Sequence, residues 1–273
     1  MPGFDGSLSI KAVIRGTAVW RAGQRCFAVN ENSWLVLNDH QHYSLEIDSR
    51  EPTTTFCLFF ERGLVEDIWR VTMTRPEQLL EKPDVDDPVP CRFFEALGPK
   101  QSVVAQMIRR FAAVSRQTDN GAWNDWFVAI GRLLVREQRD VSQRAARLPA
   151  ARSSTRTELC RRVLRGRDML LASTNGSLPL KLVAREACLS PYHFHRTFRQ
   201  MFGQTPHAFL REQRLGRAAE ALRETERTVS DIAIANGFES LPSFSALFRR
   251  RFGLPPREFR ASHGRSGAIR KIG

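Results

Sequence analysis

Eight residues of this chain recur fifty positions later in the same register. Ser190, Phe194, Phe198, Arg199, Phe202, Gly203, Pro206 and Phe209 are answered by Ser240, Phe244, Phe248, Arg249, Phe252, Gly253, Pro256 and Phe259. Self-similarity at a fixed offset marks a duplicated supersecondary unit, and two copies are too few for a solenoid. In each copy the aromatics fall at i, i+4 and i+8, a helical stripe that the two-residue alternation of a strand would not produce. Ser190 before Pro191 supplies a hydroxyl N-cap and a proline at the first helical position. Gly203 and Gly253 suit the left-handed residue that ends a helix. Short apolar helices precede the stripes, Leu180 to Ala187 and Val229 to Asn236. Tight turns join them, Cys188–Leu189–Ser190 and Gly237–Phe238–Glu239–Ser240. Thr228 with Asp231 three residues on has the form of a capping box. The spacing predicts two helix-turn-helix modules, with Cys188 a small core residue of the first turn.

Turning the aromatic stripes inward defines what faces out. Opposite Phe194 stand Tyr192, Arg196 and Arg199, flanked by His195 and Gln200. Opposite Phe244 stand Pro242, Ala246 and Arg249, flanked by Ser245 and Arg250 with Ser243 beside them. The first face carries groups that hydrogen-bond base edges, and an arginine there can grip guanine bidentately. The second offers less for bases and more for phosphates. The candidate DNA-binding residues are therefore Tyr192, His195, Arg196, Arg199, Gln200, Ser243, Ser245, Arg249 and Arg250. Charge supports this reading through its location. Residues 1–150 hold 19 Lys+Arg and 19 Asp+Glu, whereas residues 151–273 hold 23 and 10, so the net +13 lies entirely in the half with the doubled motif. A polyanion-binding module needs that confinement.

The N-terminal half reads differently. Ser7–Ile14, Arg25–Val29, Trp34–Leu37, His42–Ile47 and Thr54–Phe60 are rich in β-branched and aromatic residues and are divided by turns, which points to a small barrel or sandwich. Helical patterns follow over Glu61–Thr74, Ser102–Arg116 and Ala122–Arg139, with Trp123 a candidate subunit contact. Lys82–Pro90 reads as an acidic, proline-rich loop. Asp140 to Thr157 lacks an apolar period and reads as a linker, Glu158 to Ala172 as the helix bracing the first module, and residues 263–273 as a basic tail. His40, His42 and Glu46 have a spacing used by metal-binding sites, but His40 falls in a turn and no third histidine completes the set, so no metal, cofactor or catalytic residue is assigned. Five widely spaced cysteines give neither a disulfide frame nor a zinc site. No leader or long apolar run stands out, and the chain reads as cytoplasmic with no membrane partner.

Residues 158–260 resemble the DNA-binding domain of the AraC/XylS family of bacterial transcription regulators. The carrying residues are Ala184 through Phe202–Gly203 with Pro206, then Ile232–Ala233, Gly237–Phe238, Ser240, Phe244, Phe248, Phe252–Gly253, Pro256 and Phe259–Arg260. The resemblance implies an α+β chain: a cupin-like sensing and dimerisation domain over 1–139, a linker over 140–157, and an all-α DNA-binding domain over 158–262. It implies that both second helices enter successive major-groove segments, spaced by a rod from Pro206 to Arg223. Eighteen helical residues span about 27 Å, compatible with one DNA turn of about 34 Å once module width is added. Relatives often carry a basic or amide side chain where Ala246 stands, so this chain departs from the pattern there. The implied function is a sequence-specific transcription regulator, most often an activator. Its partners would be promoter DNA, RNA polymerase, a second copy of itself, and a small-molecule effector or protein partner whose binding residues are unknown. The alternatives are a metal-dependent cupin enzyme fused to a DNA-binding domain and a regulator under a protein partner's control.

Overall fold

A computed structural model describes residues 4–48, 52–74, 91–115, 123–173, 176 and 178–263. The chain divides into two compact units, Met1–Asp168 and Met169–Gly273. The architecture is α+β, with all the described strands in the first unit. They are β1 (Phe4–Gly6), β2 (Ser9–Arg15), β3 (Thr17–Ala22), β4 (Arg25–Asn30), β5 (Ser33–Leu37), β6 (Gln41–Glu46), β7 (Thr54–Phe59) and β8 (Leu97–Pro99). Every pairing is antiparallel, in two four-stranded sheets ordered β1-β6-β3-β4 and β7-β2-β5-β8. The expected barrel or sandwich is thus resolved as two separate sheets without closure among the described residues. The sequence reading lacked β1, β3 and β8. Strand β3 gives a faint signal because two of its three inward residues, Ala18, Trp20 and Ala22, are alanines.

Three helices cover one sheet: α1 (Leu64–Met73), α2 (Val103–Val114) and α3 (Trp123–Ala146). Leu8, Ile10, Ala12, Trp34, Val36, Leu58 and Phe60 from the strands meet Val65 and Ile68 of α1, Ile108 and Phe111 of α2, and Ile130, Leu134 and Val135 of α3. Phe111 is the hub, stacked on Trp126 at 5.3 Å and edge-on to Trp123 at 6.1 Å and Phe127 at 5.8 Å. Trp123, the candidate subunit contact, is half-buried and packs against this core. Because both faces of β2 and β5 are covered, these strands are buried almost throughout and lose the alternating pattern.

The face of β2 turned away from the helices carries Ser9, Lys11 and Val13, all buried. Lys11, 1% exposed, donates from Nζ to Tyr43 Oη at 2.8 Å. The same nitrogen lies 3.9 Å from the centre of the Phe59 ring. Among the described residues no carboxylate pairs with it. Burial pulls its pKa down to about 8 and pushes that of Tyr43 up to about 12.

Two segments depart from the expected organisation. Asp140–Thr157 is helical at both ends, within α3 up to Ala146 and from Ser153 in α4 (Ser153–Ala172), so only residues 147–152 separate two helices. Alanine and arginine are strong helix formers, and propensity carries the chain where periodicity is silent. Helix α4, expected to brace the first helix-turn-helix, is bonded to the β-unit through residue 168. Asp168 accepts the Leu97 N–H at 2.9 Å and Arg25 Nη2 at 3.0 Å. Helix α4 continues past the unit boundary to Ala172. The acidic loop and the basic tail beyond His263 lie outside the described residues.

The metal-like spacing is not assembled into a site. His40 sits in a turn at φ 55° beside Asp39, and Glu46 is engaged by Arg21 at 2.8 Å. Among the described residues no group of three His, Cys, Asp or Glu side chains could hold a metal ion.

The buried ammonium has a measurable signature. The folded chain releases the Lys11 proton near pH 8 and the unfolded chain near 10.5, so from about 8 upward the unfolded state holds more of this proton and its contribution makes stability rise with pH. Unfolded Cys91 and Cys160 begin to titrate near pH 9, while burial holds the folded thiols up to about 12, and this closes the window. Lys11→Met is expected to raise the neutral-pH melting temperature by several degrees and to flatten that rise. Thermal melts from neutral pH to about 9 check it; an unchanged slope in the variant would contradict the assignment.

Candidate nucleic-acid interface

The second unit builds the same object twice. In the first copy α5 (Leu180–Glu186) leads through a turn into α6 (Pro191–Phe202). Ser190 Oγ caps α6 by accepting the His193 N–H at 3.2 Å, Pro191 fixes its first turn, and Gly203 ends it at φ 70°. In the second, α8 (Val229–Ala235) leads into α9 (Leu241–Phe252). Ser240 Oγ accepts the Ser243 N–H at 3.4 Å and Gly253 ends the helix at φ 82°. Thr228 caps α8, accepting the Asp231 N–H at 3.0 Å while donating its hydroxyl proton to that residue's carboxylate at 2.7 Å. The capping-box pair is thus present, with the carboxylate holding the threonine hydroxyl.

The aromatic stripes pack as the repeat predicts. Phe198 lies 5.5 Å from Phe194, 4.6 Å from Phe202 and 5.5 Å from Phe209. Phe248 lies 5.4 Å from Phe244, 4.5 Å from Phe252 and 5.2 Å from Phe259. Phe194, Phe198, Phe244 and Phe248 are fully buried. Phe209 begins α7 (Pro206–Glu224), the rod between the copies, and Phe259 lies on α10 (Pro256–His263). Each second helix is therefore anchored by an aromatic from the helix after it.

This packing fixes the outward faces. Tyr192, Arg196, Arg199 and Gln200 are exposed and His195 is half-buried; Ser243, Arg249 and Arg250 are exposed and Ser245 is half-buried. His193 and Ala246 are exposed as well. Tyr192 is 77% exposed, extreme for an aromatic residue at a helix start. Arg196, Arg199, Arg249 and Arg250 engage no carboxylate among the described residues, leaving four guanidinium groups without an internal counter-charge. Arg251 is different: its Nε bonds Glu212 of α7 at 2.6 Å, so it braces α9.

Three features of this unit were missed or misread from sequence. The leading helices repeat at an offset of 49, with Val183 and Ala184 matched by Ile232 and Ala233 and the bond Leu189 N–H to Ala184 O matched by Phe238 N–H to Ala233 O. Glu239 is the extra residue of the second turn and restores the offset to fifty. Cys188, expected in the core, is exposed at φ 51°. It occupies the left-handed turn position held by Gly237 in the second copy, and that conformation turns its side chain to solvent. Arg214 of α7 was not singled out. Its Nη1 donates to Gly237 O at 2.9 Å and its Nη2 to Gly176 O, tying the rod to the second turn and to the segment before the first module. Arg217, one turn on, donates to Ser173 O at 3.0 Å. Burial, then the charge of Arg214, pulls its pKa down to about 10. The available signal was that both arginines fall on the stripe begun at Leu210, at helical spacing.

Two capped helix-turn-helix modules on one rod, with cationic second helices, define a double helix-turn-helix protein of the DNA-binding kind. Residues 183–262 match a helix-turn-helix domain model, and residues 2–101 match the AraC-like ligand-binding domain. The chain thus carries a helix-turn-helix domain beside an AraC-like ligand-binding domain. It is 41% identical over 87 residues to the HTH-type transcriptional activator RhaS of Escherichia coli, covering 32% of this chain and 31% of that one. It is 35% identical over 94 residues to the HTH-type transcriptional regulator ArgR of Pseudomonas aeruginosa, covering 34% and 29%. The aligned part thus spans under a third of the length of these relatives. Among solved structures, an AraC-type DNA-binding domain-containing regulator from Chromobacterium violaceum is 28% identical, covers 42% of this chain and 98% of that one, and has a TM-score of 0.36.

Two glycines separate backbone strain from packing. At Gly203 an added Cβ meets nothing, so Gly203→Ala carries only the left-handed penalty of about 1–2 kcal/mol. At Gly237 the Cβ would stand 2.9 Å from Arg214 Cζ, so Gly237→Ala adds the loss of the Arg214 bonds. Gly237→Ala is expected to lower the denaturation midpoint more than Gly203→Ala; equal shifts in chemical denaturation would refute a structural role for Arg214.

Proposed function

We propose that this chain is a sequence-specific transcription regulator, an activator, that reads promoter DNA with α6 and α9 in successive major-groove segments. The observation that carries the reading is the pair of outward faces bearing Arg196, Arg199, Arg249 and Arg250 without internal counter-charge, on two modules built alike. A rod of 19 residues, about 28 Å at 1.5 Å per residue, suits segments about one helical turn apart. The faces divide the work. Tyr192, His195, Arg196 and Gln200 offer donors and acceptors to base edges, with Arg199 beside them. The second face, with exposed Ala246 at its centre, holds phosphates through Arg249 and Arg250, with Ser243 and Ser245 as neutral donors. The first unit modulates this binding by sensing a small molecule, the second copy in a homodimer doubles the contact, and RNA polymerase is the partner at the promoter.

The test begins with DNA selected from a randomised pool by the full chain. Arg196→Ala is expected to relax preference at one or two base pairs, costing about 1–3 kcal/mol on the selected site. Arg249→Ala and Arg250→Ala are expected to weaken selected and unrelated DNA alike, each making the slope of log affinity against log salt shallower by about 1. Fluorescence anisotropy over a salt series measures both. Equal loss of specificity from all three variants would sink the division, and no selection of any sequence would sink the function.

A further inference from the structure

The DNA-binding reading leaves unused a cluster inside the first unit. The register of β2 with β7 sets Lys11 opposite Cys57 and Ser9 opposite Phe59, all on the face away from the helical core. Tyr43 of β6 reaches the same interior, its hydroxyl 2.8 Å from Lys11 Nζ. An ammonium has three donors. One goes to the Tyr43 oxygen, and the rings of Tyr43 and Phe59 lie over the nitrogen at 4.4 Å and 3.9 Å. Ser9, 0% exposed, has a side-chain oxygen with no hydrogen-bond partner. An enclosed cation without an anion and an enclosed hydroxyl without a partner are both unfavourable. A single group, an anionic oxygen acceptor, answers both.

The way in is visible. Phe59, whose ring covers the ammonium, is 46% exposed, and Cys57 beside it is half-buried. The charge count selects the ligand class. One cation flanked by neutral hydroxyls balances a monoanion. A phosphate dianion would leave a surplus charge buried, and a neutral polyol would leave the lysine unpaired.

We propose that the interior of the β-unit binds the carboxylate of a small organic acid, with Lys11 as the charge partner, Tyr43 and Ser9 as hydroxyl partners, and Phe59 as the displaceable cover. This rests on the reading of the first unit as the sensing half of a DNA-binding regulator, and it names the chemical class sensed. The experiment uses the full chain with sodium butyrate, hexanoate and benzoate, each beside its primary amide, in thermal-shift titrations. At least one acid is expected to raise Tm saturably, its amide to do so at least ten-fold more weakly, and Lys11→Met to abolish the response. Tyr43→Phe is expected to retain the response with affinity reduced about ten-fold, the loss of one hydrogen bond to a charged group. Lys11→Met replaces a buried charge by an apolar chain of similar length, and its own melting curve shows that it folds. No response to any of the three acids, equal responses to acid and amide, or an undiminished response in Lys11→Met would overturn the proposal. The titration contains no DNA, so a failure here is distinct from a failure of the chain to bind DNA.

Discussion

The burial of one phenylalanine in each module, Phe198 and Phe248, is the constraint on which the DNA-reading half depends. Each touches the aromatic before it, the aromatic after it and a third from the following helix. A helix held by three such contacts cannot rotate about its axis without exposing large apolar surface. Burying a phenylalanine contributes about 1.5–3 kcal/mol, and edge-on or tilted ring pairs add about 0.5–1.5 kcal/mol beyond area. The outward direction of Arg196 and Arg249 is therefore a by-product of core packing. Helix caps then fix where each face begins and ends, with Ser190 and Ser240 at one end and Gly203 and Gly253 at the other.

What sequence could reveal tracked how local the determining physics is. Stripes, N-cap serines and terminal glycines act within one or two turns, so α6 and α9 were legible to the residue. The faces opposite the stripes followed, and the exposed arginines stand where the period puts them. Features set by long-range packing were not legible. Lys11 looked like any polar residue in a half-buried strand until both faces of β2 proved to be covered. Arg214 and Arg217 looked like solvated charges on a rod until their backbone acceptors, Gly237 and Ser173, were brought to them across the fold. Helix α4 looked like part of the DNA-binding half because chain order, not contact, was the available guide; the bonds of Asp168 to Arg25 and Leu97 span 143 and 71 residues of sequence.

Buried or half-buried cations recur in both units, and their settings differ. Arg214 and Arg217 find backbone carbonyls, which are fixed dipoles that already belong to the fold. A guanidinium so placed acts as a clasp, holding a glycine turn at φ 74° where an added Cβ would stand 2.9 Å from Arg214 Cζ. Lys11 finds one hydroxyl and two ring faces, none carrying formal charge. Arg217 too leaves Nε and Nη2 unpartnered, but its one bond goes to a backbone carbonyl, whereas Lys11 lies beneath a half-exposed aromatic, a position a ligand can exploit.

Two scaffolds built on the same aromatic stripe need not read DNA in the same way. The stripe phenylalanines and the caps are the same in α6 and α9, whereas the outward residues differ: Tyr192, Arg196 and Gln200 on one, Pro242, Ala246 and Arg250 on the other. The packing constraint explains why. A change at Phe198 or Phe248 disturbs three ring contacts and the helix's rotation, while a change at position 196 or 246 disturbs only what lies outside the protein. A tandem pair with unlike faces also differs from a symmetric dimer of single modules. Symmetry would require a palindromic site, but on the proposed reading one chain with a base-reading face and a phosphate-holding face has a direction, and so does the sequence that fits it. On that reading, orientation on DNA follows from the difference between Arg196 and Ala246, two exposed residues on helices that share one aromatic stripe.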